Sequence, residues 1–228
     1  MFNKKKILFV FCDGSNDAKS YPLGVGLLSA VLKKNGHEVQ AVFGDFSISD
    51  LIQEVIDSIC YQIEQFDPDI ICYSATSSAF EYIKKVSPVV RNRFGKPTLC
   101  GGMHPTLYPE DALLTEGIDY ICVGEGEKVI VPFVECTSLN NKSSVDIPGI
   151  WKLNGEKKIV KTRLLPLNQK LDELPFIDYD VFGKDFINKI TKDGWIRFML
   201  SRGCPYNCSY CHNKLIKKTY ADGVGCKI

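Results

Sequence analysis

The chain has 228 residues, with 28 Lys+Arg against 27 Asp+Glu and 45% hydrophobic residues. Those proportions belong to a globular protein with enough chain for one or two domains and a real core. A net charge of +1 supplies no basic footprint for nucleic acid. The apolar run over 7–12 is too short to span a bilayer, and it ends at Asp13-Gly14 without a cleavage-site pattern. The expectation is a cytoplasmic protein with neither a membrane nor a nucleic acid as partner.

Short apolar runs alternate with longer amphipathic ones over the first 140 residues. Strands are predicted over 6–12, 37–43, 69–74, 97–101 and 119–123. Helices are predicted over 23–34 (closed by Asn35-Gly36), 49–66, 79–93, 109–116 and 128–135. Strands separated by helices imply right-handed parallel crossovers, hence a doubly wound α/β fold. Five strands suggest the flavodoxin-like order 2-1-3-4-5, with ligands beyond the carboxyl ends of the strands.

Residues 138–144 are polar and turn-rich, a domain boundary near 140. Two short strand patterns then flank Asn154-Gly155, the signal of a two-residue hairpin turn. Residues 164–182 carry two prolines and read as an extended linker pinned across a neighbour. The apolar run 195–201 reads as a buried parallel strand leading into Arg202-Gly203-Cys204. The predicted division is 1–140, 141–194 and 195–228.

Cys12, Cys60, Cys72, Cys100, Cys122 and Cys136 lie in apolar segments, where a thiol acts as a small hydrophobe. Cys204, Cys208 and Cys211 are instead crowded into polar, turn-forming sequence with the spacing C-x3-C-x2-C. Without an oxidising compartment, such a cluster points to a metal rather than to disulfides. Three thiolates can hold three irons of a [4Fe–4S] cube and leave the fourth iron open to a small molecule. Zinc is the rival reading, with His212 or Cys226 as fourth ligand, although structural zinc usually pairs two C-x2-C knuckles.

The cysteine spacing, the strand before it and Arg202-Gly203 resemble the radical S-adenosylmethionine (SAM) enzymes. The resemblance implies a [4Fe–4S] cluster on Cys204, Cys208 and Cys211, SAM chelated by the open iron, and reductive cleavage of SAM to a 5′-deoxyadenosyl radical. Tyr210 matches the aromatic that lies beside the adenine. An electron donor must then reduce the cluster.

The N-terminal part resembles the cobalamin-binding domain that precedes the barrel in one large radical SAM subgroup. Pro22-Leu23-Gly24, residues 101–106 (Gly-Gly-Met-His-Pro-Thr), Gly124-Glu125-Gly126-Glu127 and Leu174-Pro175-Phe176 carry the resemblance. It places a corrin above the strand ends with its nucleotide tail in the crevice. The implied cofactor-binding residues are Leu23, Gly24, Ser74, Thr76, Ser77, Gly101, Gly102, His104, Thr106, Gly124, Glu125 and Gly126. The glycines let backbone approach a flat ligand, and the hydroxyls supply donors and acceptors. Residues 12–17 lack the histidine of the Asp-x-His-x-x-Gly loop that many corrinoid domains present to cobalt, so histidine ligation is not expected.

A nucleotide-binding reading competes: Gly24-Val25-Gly26 approximates a dinucleotide fingerprint, with Asp45 beyond it. The connection over 13–21 is too long for the tight turn that fingerprint needs. A radical SAM barrel needs about 200 residues, comparable with other α/β barrels, and 34 remain from Trp195 onward. The expectation is therefore the first strand and cluster loop of a truncated barrel, with 196, 198 and 200 left exposed. Radical methyl transfer from cobalamin to an unactivated carbon of a small-molecule or peptide substrate is the favoured function. Radical rearrangement or ring closure, and a non-catalytic corrinoid-binding module, are the alternatives.

Overall fold

The computed structural model describes residues 3–14, 21–47, 51–137, 146–192, 194 and 196–224. Its centre is β1 (Lys6–Asp13), whose residues alternate between two apolar layers. Ile7, Phe9 and Phe11 enter one buried cluster, and Leu8, Val10 and Cys12 enter the other. A strand buried on both faces needs helices on both sides, and the crossovers supply them. Helices α1 (Leu23–Lys34) and α6 (Ile130–Cys136) cover the first face. Helices α2 (Ile52–Phe66), α3 (Ser77–Phe94) and α5 (Pro109–Leu114) cover the second.

The strands β2 (Glu38–Asp45), β3 (Ile70–Ser74), β4 (Thr98–Gly101) and β5 (Tyr120–Cys122) lie parallel with β1. The hairpin β6 (Ile150–Leu153) and β7 (Ile159–Val160) adds antiparallel to β5, so the sheet order is β2-β1-β3-β4-β5-β6-β7. This corrects the five-stranded expectation, because the hairpin extends the sheet instead of standing apart from it. Residues 138–145, where the boundary was expected, lie outside the described residues.

Three local expectations are also corrected. The turn between Leu153 and Ile159 is longer than two residues, because Asn154 Oδ1 accepts the amides of Glu156 and Lys158 at 3.0 and 2.9 Å. Its left-handed position falls on Lys157, with φ 58°, rather than on Gly155. Cys136 is exposed, because the last turn of α6 carries it away from the sheet. Residues 196–201 form no strand: the Arg197 backbone instead pairs with tyrosine hydroxyls, its amide with Tyr21 and its carbonyl with Tyr21 and Tyr179. Leu200 and Phe198 remain 86% and 64% exposed, as a strand without parallel neighbours would be.

Three further helices had no place in the prediction: α4 (Met103–Leu107), α7 (Lys184–Ile190) and α8 (Asn213–Val224). Residues 164–182 do run as an extended strap, across α1. Asp178 donates its amide to the Gly26 carbonyl at 3.1 Å, and its carboxylate takes Ser29 and Lys33 at 2.6 Å each. Gly26 makes the crossing possible, because a Cβ there would stand 2.7 Å from Ile177 Cγ2 and 3.1 Å from the Asp178 carbonyl oxygen. The glycine pair on α1 thus serves strap packing rather than a dinucleotide turn, and Gly24 faces open space. Among the described residues no helix is long and apolar enough to cross a membrane.

Overpacking of this kind generally costs about 1–3 kcal/mol, so Gly26→Val should lower unfolding free energy by about that much in urea titrations. Limited proteolysis should then cut within 164–182 before it cuts the sheet.

Candidate functional site

Two adjoining hollows open at the carboxyl ends of β1, β3, β4 and β5. The larger, about 510 Å³, is lined by Asp13, Gly14, Tyr21, Pro22, Ser74, Thr76 and Tyr82, with other residues of the β1 and β3 ends. Tyr82 stacks on Phe46 with ring centroids 4.7 Å apart, giving this bowl an aromatic wall. The smaller is a slot of about 60 Å³, walled by Phe9, Leu28, Leu99, Gly101, Gly102, Gly124, Gly126 and Ile130, among others. Ser74 lines both.

Two of the slot's glycines cannot be replaced freely, which keeps those walls bare. Gly102 has φ 103°, and a Cβ on it would stand 2.7 Å from the Ala75 carbonyl oxygen. Gly124 has φ 91°, and a Cβ on it would meet the Tyr220 hydroxyl at 2.4 Å. Thr106 joins the two loops: its hydroxyl donates to the Gly102 carbonyl at 2.8 Å and accepts the Gly124 amide at 3.1 Å. An open bowl beside an apolar slot suits a flat macrocycle with an appended nucleotide. At about 60 Å³ the slot is smaller than such a tail, so entry has to displace side chains such as Leu28.

The residues expected at the site divide into groups. Ser74, Gly101, Gly102, Gly124 and Gly126 line the slot, and Thr76 lines the bowl. Thr76 also caps α3, accepting the Ala79 amide at 3.3 Å. Leu23 is partly buried against the core and Gly24 is exposed; neither wall includes them. Leu28, Tyr21 and Tyr82 occupy the walls instead. Tyr82 had no distinguishing signal in sequence, since an aromatic in an amphipathic helix reads as core.

His104 has another role. Its Nε2–H donates to Asp111 at 3.0 Å, which leaves Nδ1 to accept the Ser77 hydroxyl at 3.2 Å. Its ring stacks on Phe80 at 3.9 Å, and Lys84 closes the group with an ion pair to Asp111 at 3.1 Å. Both ring nitrogens are engaged, so His104 pins α4 to α3 and α5 rather than facing a metal. The Ser77 hydroxyl is engaged in the same contact.

The loop after β5 makes the remaining contacts. The Glu125 carboxylate accepts Arg202 Nη1 at 2.8 Å and the Asn168 amide at 2.7 Å, and its own amide donates to the Tyr220 hydroxyl at 2.9 Å. Glu127 accepts Arg202 Nη2 at 2.5 Å, while its second oxygen is buried without a hydrogen-bond partner. Burial works against the Arg202 charge, but the hydrogen bonds to Glu127 and Glu125 outweigh it and raise its pKa. Glu125 therefore turns toward Arg202 and not into the slot. Burial pushes the Tyr220 hydroxyl up to about 12, so it stays protonated.

Cys204 and Cys211 are half-buried and Cys208 is exposed, with the Cys211 amide donating to the Cys208 carbonyl at 3.1 Å. Among the described residues no three His, Cys, Asp or Glu side chains are gathered to hold a metal. As a donor set, three accessible thiols on one loop suit an iron–sulfur cluster better than the buried thiols elsewhere. Burial drives Cys12, Cys72 and Cys100 far above the ordinary thiol range and Cys122 to about 12, which keeps them protonated and unreactive. Tyr210 is 92% exposed. Cys226 lies outside the described residues.

A B12-binding domain family model matches residues 15–134, more than half the chain. The chain belongs to the B12-binding domain family. It is 31% identical over 202 residues to an uncharacterized methyltransferase, PH0819, of Pyrococcus horikoshii, covering 85% of this chain and 41% of that protein. It is 26% identical to the anaerobic magnesium-protoporphyrin IX monomethyl ester cyclase of Synechocystis, covering 83% of this chain and 37% of the cyclase. The chain thus spans well under half the length of these relatives. The solved structure of OxsB, a cobalamin-dependent SAM radical enzyme with aqua-cobalamin bound, shares the fold with a TM-score of 0.63 at 20% identity. That match covers 83% of this chain and 25% of OxsB. Membership of that family supports cobalamin binding by this domain.

Burial holds His104 and His37 below the ordinary imidazole range, in His104 against the opposing pull of Asp111. Folding therefore favours their neutral forms, and protonation favours the unfolded chain. Stability from this source is complete above about pH 6.5 and falls as pH drops through and below that value. The thermal midpoint should decline from pH 7.5 to 5.5, with a shallower slope in His104→Gln. An unchanged slope in that variant would mean that His104 does not titrate on unfolding.

Proposed function

We propose that this chain is the cobalamin-binding part of a cobalamin-dependent radical SAM enzyme that transfers a methyl group to an unactivated carbon. One observation carries the reading: the loop bearing Cys204, Cys208 and Cys211 is tied by Arg202 and Tyr220 to the glycine loop that walls the cobalamin slot. A cysteine loop with an unrelated task would have no reason to be anchored there. In this reading Cys204, Cys208 and Cys211 hold a [4Fe–4S] cluster, and Tyr210 lies beside the adenine of SAM. Held by these cysteines and reduced by an external donor, a cluster would supply the electron for SAM cleavage, and bound cobalamin would supply the methyl carrier.

The chain's own residues supply position and shielding. Gly101, Gly102, Gly124 and Gly126 expose backbone to the nucleotide tail, and Leu28, Leu99 and Ile130 keep its slot apolar. Ser74 and Thr76 offer hydroxyls at the rim, and Tyr21 and Tyr82 wall the bowl that faces the corrin. The substrate is a small molecule or peptide. The cyclase relative favours a second reading, radical ring closure with no methyl retained, and label from SAM methyl in the product of the whole enzyme distinguishes the two.

Hydroxocobalamin should bind the 228-residue chain with micromolar or tighter affinity in an absorbance titration, and no binding in that range removes cobalamin from the proposal. After anaerobic reconstitution the chain should hold about four irons, the content of one [4Fe–4S] cluster. Ala at any one of Cys204, Cys208 or Cys211 should remove most of that iron, and stoichiometric zinc without iron would overturn the cluster assignment.

A further inference from the structure

The cysteine loop is tethered at both ends, and both tethers converge on one short loop. Arg202, two residues ahead of Cys204, forks to Glu125 and Glu127 at 2.8 and 2.5 Å. Tyr220, on α8 beyond Cys211, accepts the amide of Glu125 at 2.9 Å. Between them Lys217 Nζ reaches back to the Tyr206 carbonyl at 3.3 Å and to Asn207 Oδ1 at 3.2 Å, closing the excursion on itself. The loop that receives the tethers contributes Gly124 and Gly126 to the cobalamin slot.

The Arg202 contacts differ from an ordinary surface ion pair, which contributes little because both partners stay solvated. Here the side chains of Arg202, Glu125 and Glu127 are 23%, 22% and 9% exposed. The two carboxylates lie two residues apart on one loop, so without the guanidinium they repel each other in a poorly solvated place. The second oxygen of Glu127 already lacks a hydrogen-bond partner, which leaves Arg202 as the source of its compensation. A planar guanidinium can present separate nitrogens to two carboxylates, whereas an ammonium is a point charge that cannot match both in this geometry.

We propose that Arg202 is a positioning residue: by bridging Glu125 and Glu127 it fixes the approach of the Cys204–Cys211 loop to the cobalamin slot. The role rests on the reading that this loop carries a cluster, but the clamp itself is testable without one. Because the clamp acts on the loop and not on the slot, its loss frees the loop and leaves cobalamin affinity in place.

The test uses the full chain as wild type, Arg202→Ala, Arg202→Lys and Glu127→Gln, with Lys218→Ala, an exposed lysine of α8, as control. Amide hydrogen exchange over 200–212 reads the loop, hydroxocobalamin titration reads the slot, and iron content after reconstitution reads the cluster. Arg202→Ala should raise exchange over 200–212 at least fivefold and keep the hydroxocobalamin Kd within twofold. Arg202→Lys and Glu127→Gln should give intermediate exchange, and Lys218→Ala none of the effect. Should Arg202→Ala fail to fold, the intermediate variants carry the test alone. Unchanged exchange in all three clamp variants overturns the proposal, as does a tenfold loss of hydroxocobalamin affinity in Arg202→Lys, which would place Arg202 in the cobalamin site. Wild type that takes up no iron while Arg202→Ala still loosens 200–212 defeats the cluster reading and leaves the clamp standing.

Discussion

Gly124 can hold its place only without a side chain, because the Tyr220 hydroxyl occupies the space a Cβ would need. Its positive φ turns the chain sharply out of β5, aims its own amide at Thr106 and presents the next amide to Tyr220. Thr106 carries the constraint to Gly102, so the glycine turns after β4 and β5 are set at one separation. That separation is the width of the slot. The same turn directs the Glu125 carboxylate outward, where Arg202 and the Asn168 amide satisfy it. Slot geometry and the anchoring of the cysteine loop are therefore consequences of one backbone conformation.

The sheet makes this conformation affordable to hold. Parallel strands buried on both faces place their carboxyl ends in one rim, and the bare glycines lie on that rim where a ligand can replace the missing side chains. Around it most side-chain polar groups are hydrogen-bonded, although the Tyr73 hydroxyl in the slot wall is buried without a partner. His104 engages both ring nitrogens with Ser77 and Asp111, and at the opposite, amino end of β4 Thr98 takes the Asp119 amide at 2.9 Å while donating to the Gly117 carbonyl at 2.8 Å. The second oxygen of Glu127 is an exception, and it lies where the cysteine loop docks.

Most of the central fold was legible in the residue pattern because period-2 and period-3.6 apolarity report burial directly. β1 to β5 and, apart from α4, the helices between them appear within a few residues of expectation, since each buries a face that nothing else could cover. The run 195–201 failed for the same reason that β1 succeeded: apolarity predicts a buried strand only where neighbouring strands exist to pair with it. At the site, glycines were readable because their positions at strand ends have few other uses. The engagement of both His104 ring nitrogens was not readable, because Ser77 lies 27 residues away and only the fold brings it near. Arg202 was visible as part of a motif, but its carboxylate partners lie 75 and 77 residues away, and only the fold brings them together.

The placement of the apolar residues near the C-terminal end bears on how the parts cooperate. Ile196, Phe198, Met199 and Leu200 are exposed, yet the Arg197 backbone between them is held by two tyrosine hydroxyls, one of which, on Tyr21, belongs to the wall of the bowl. The segment is thus fixed in position by its backbone while its apolar side chains stay uncommitted. Backbone anchoring at Arg197 and a forked ion pair at Arg202 hold the chain before the cysteine loop, and a buried hydroxyl at Tyr220 holds it after the loop, without using its thiols. The loop leaves Cys208 exposed and Cys204 and Cys211 half-buried, so its thiols contribute little packing. Residues just outside it supply its order, and Arg202 and Tyr220 attach to the loop after β5 that walls the slot.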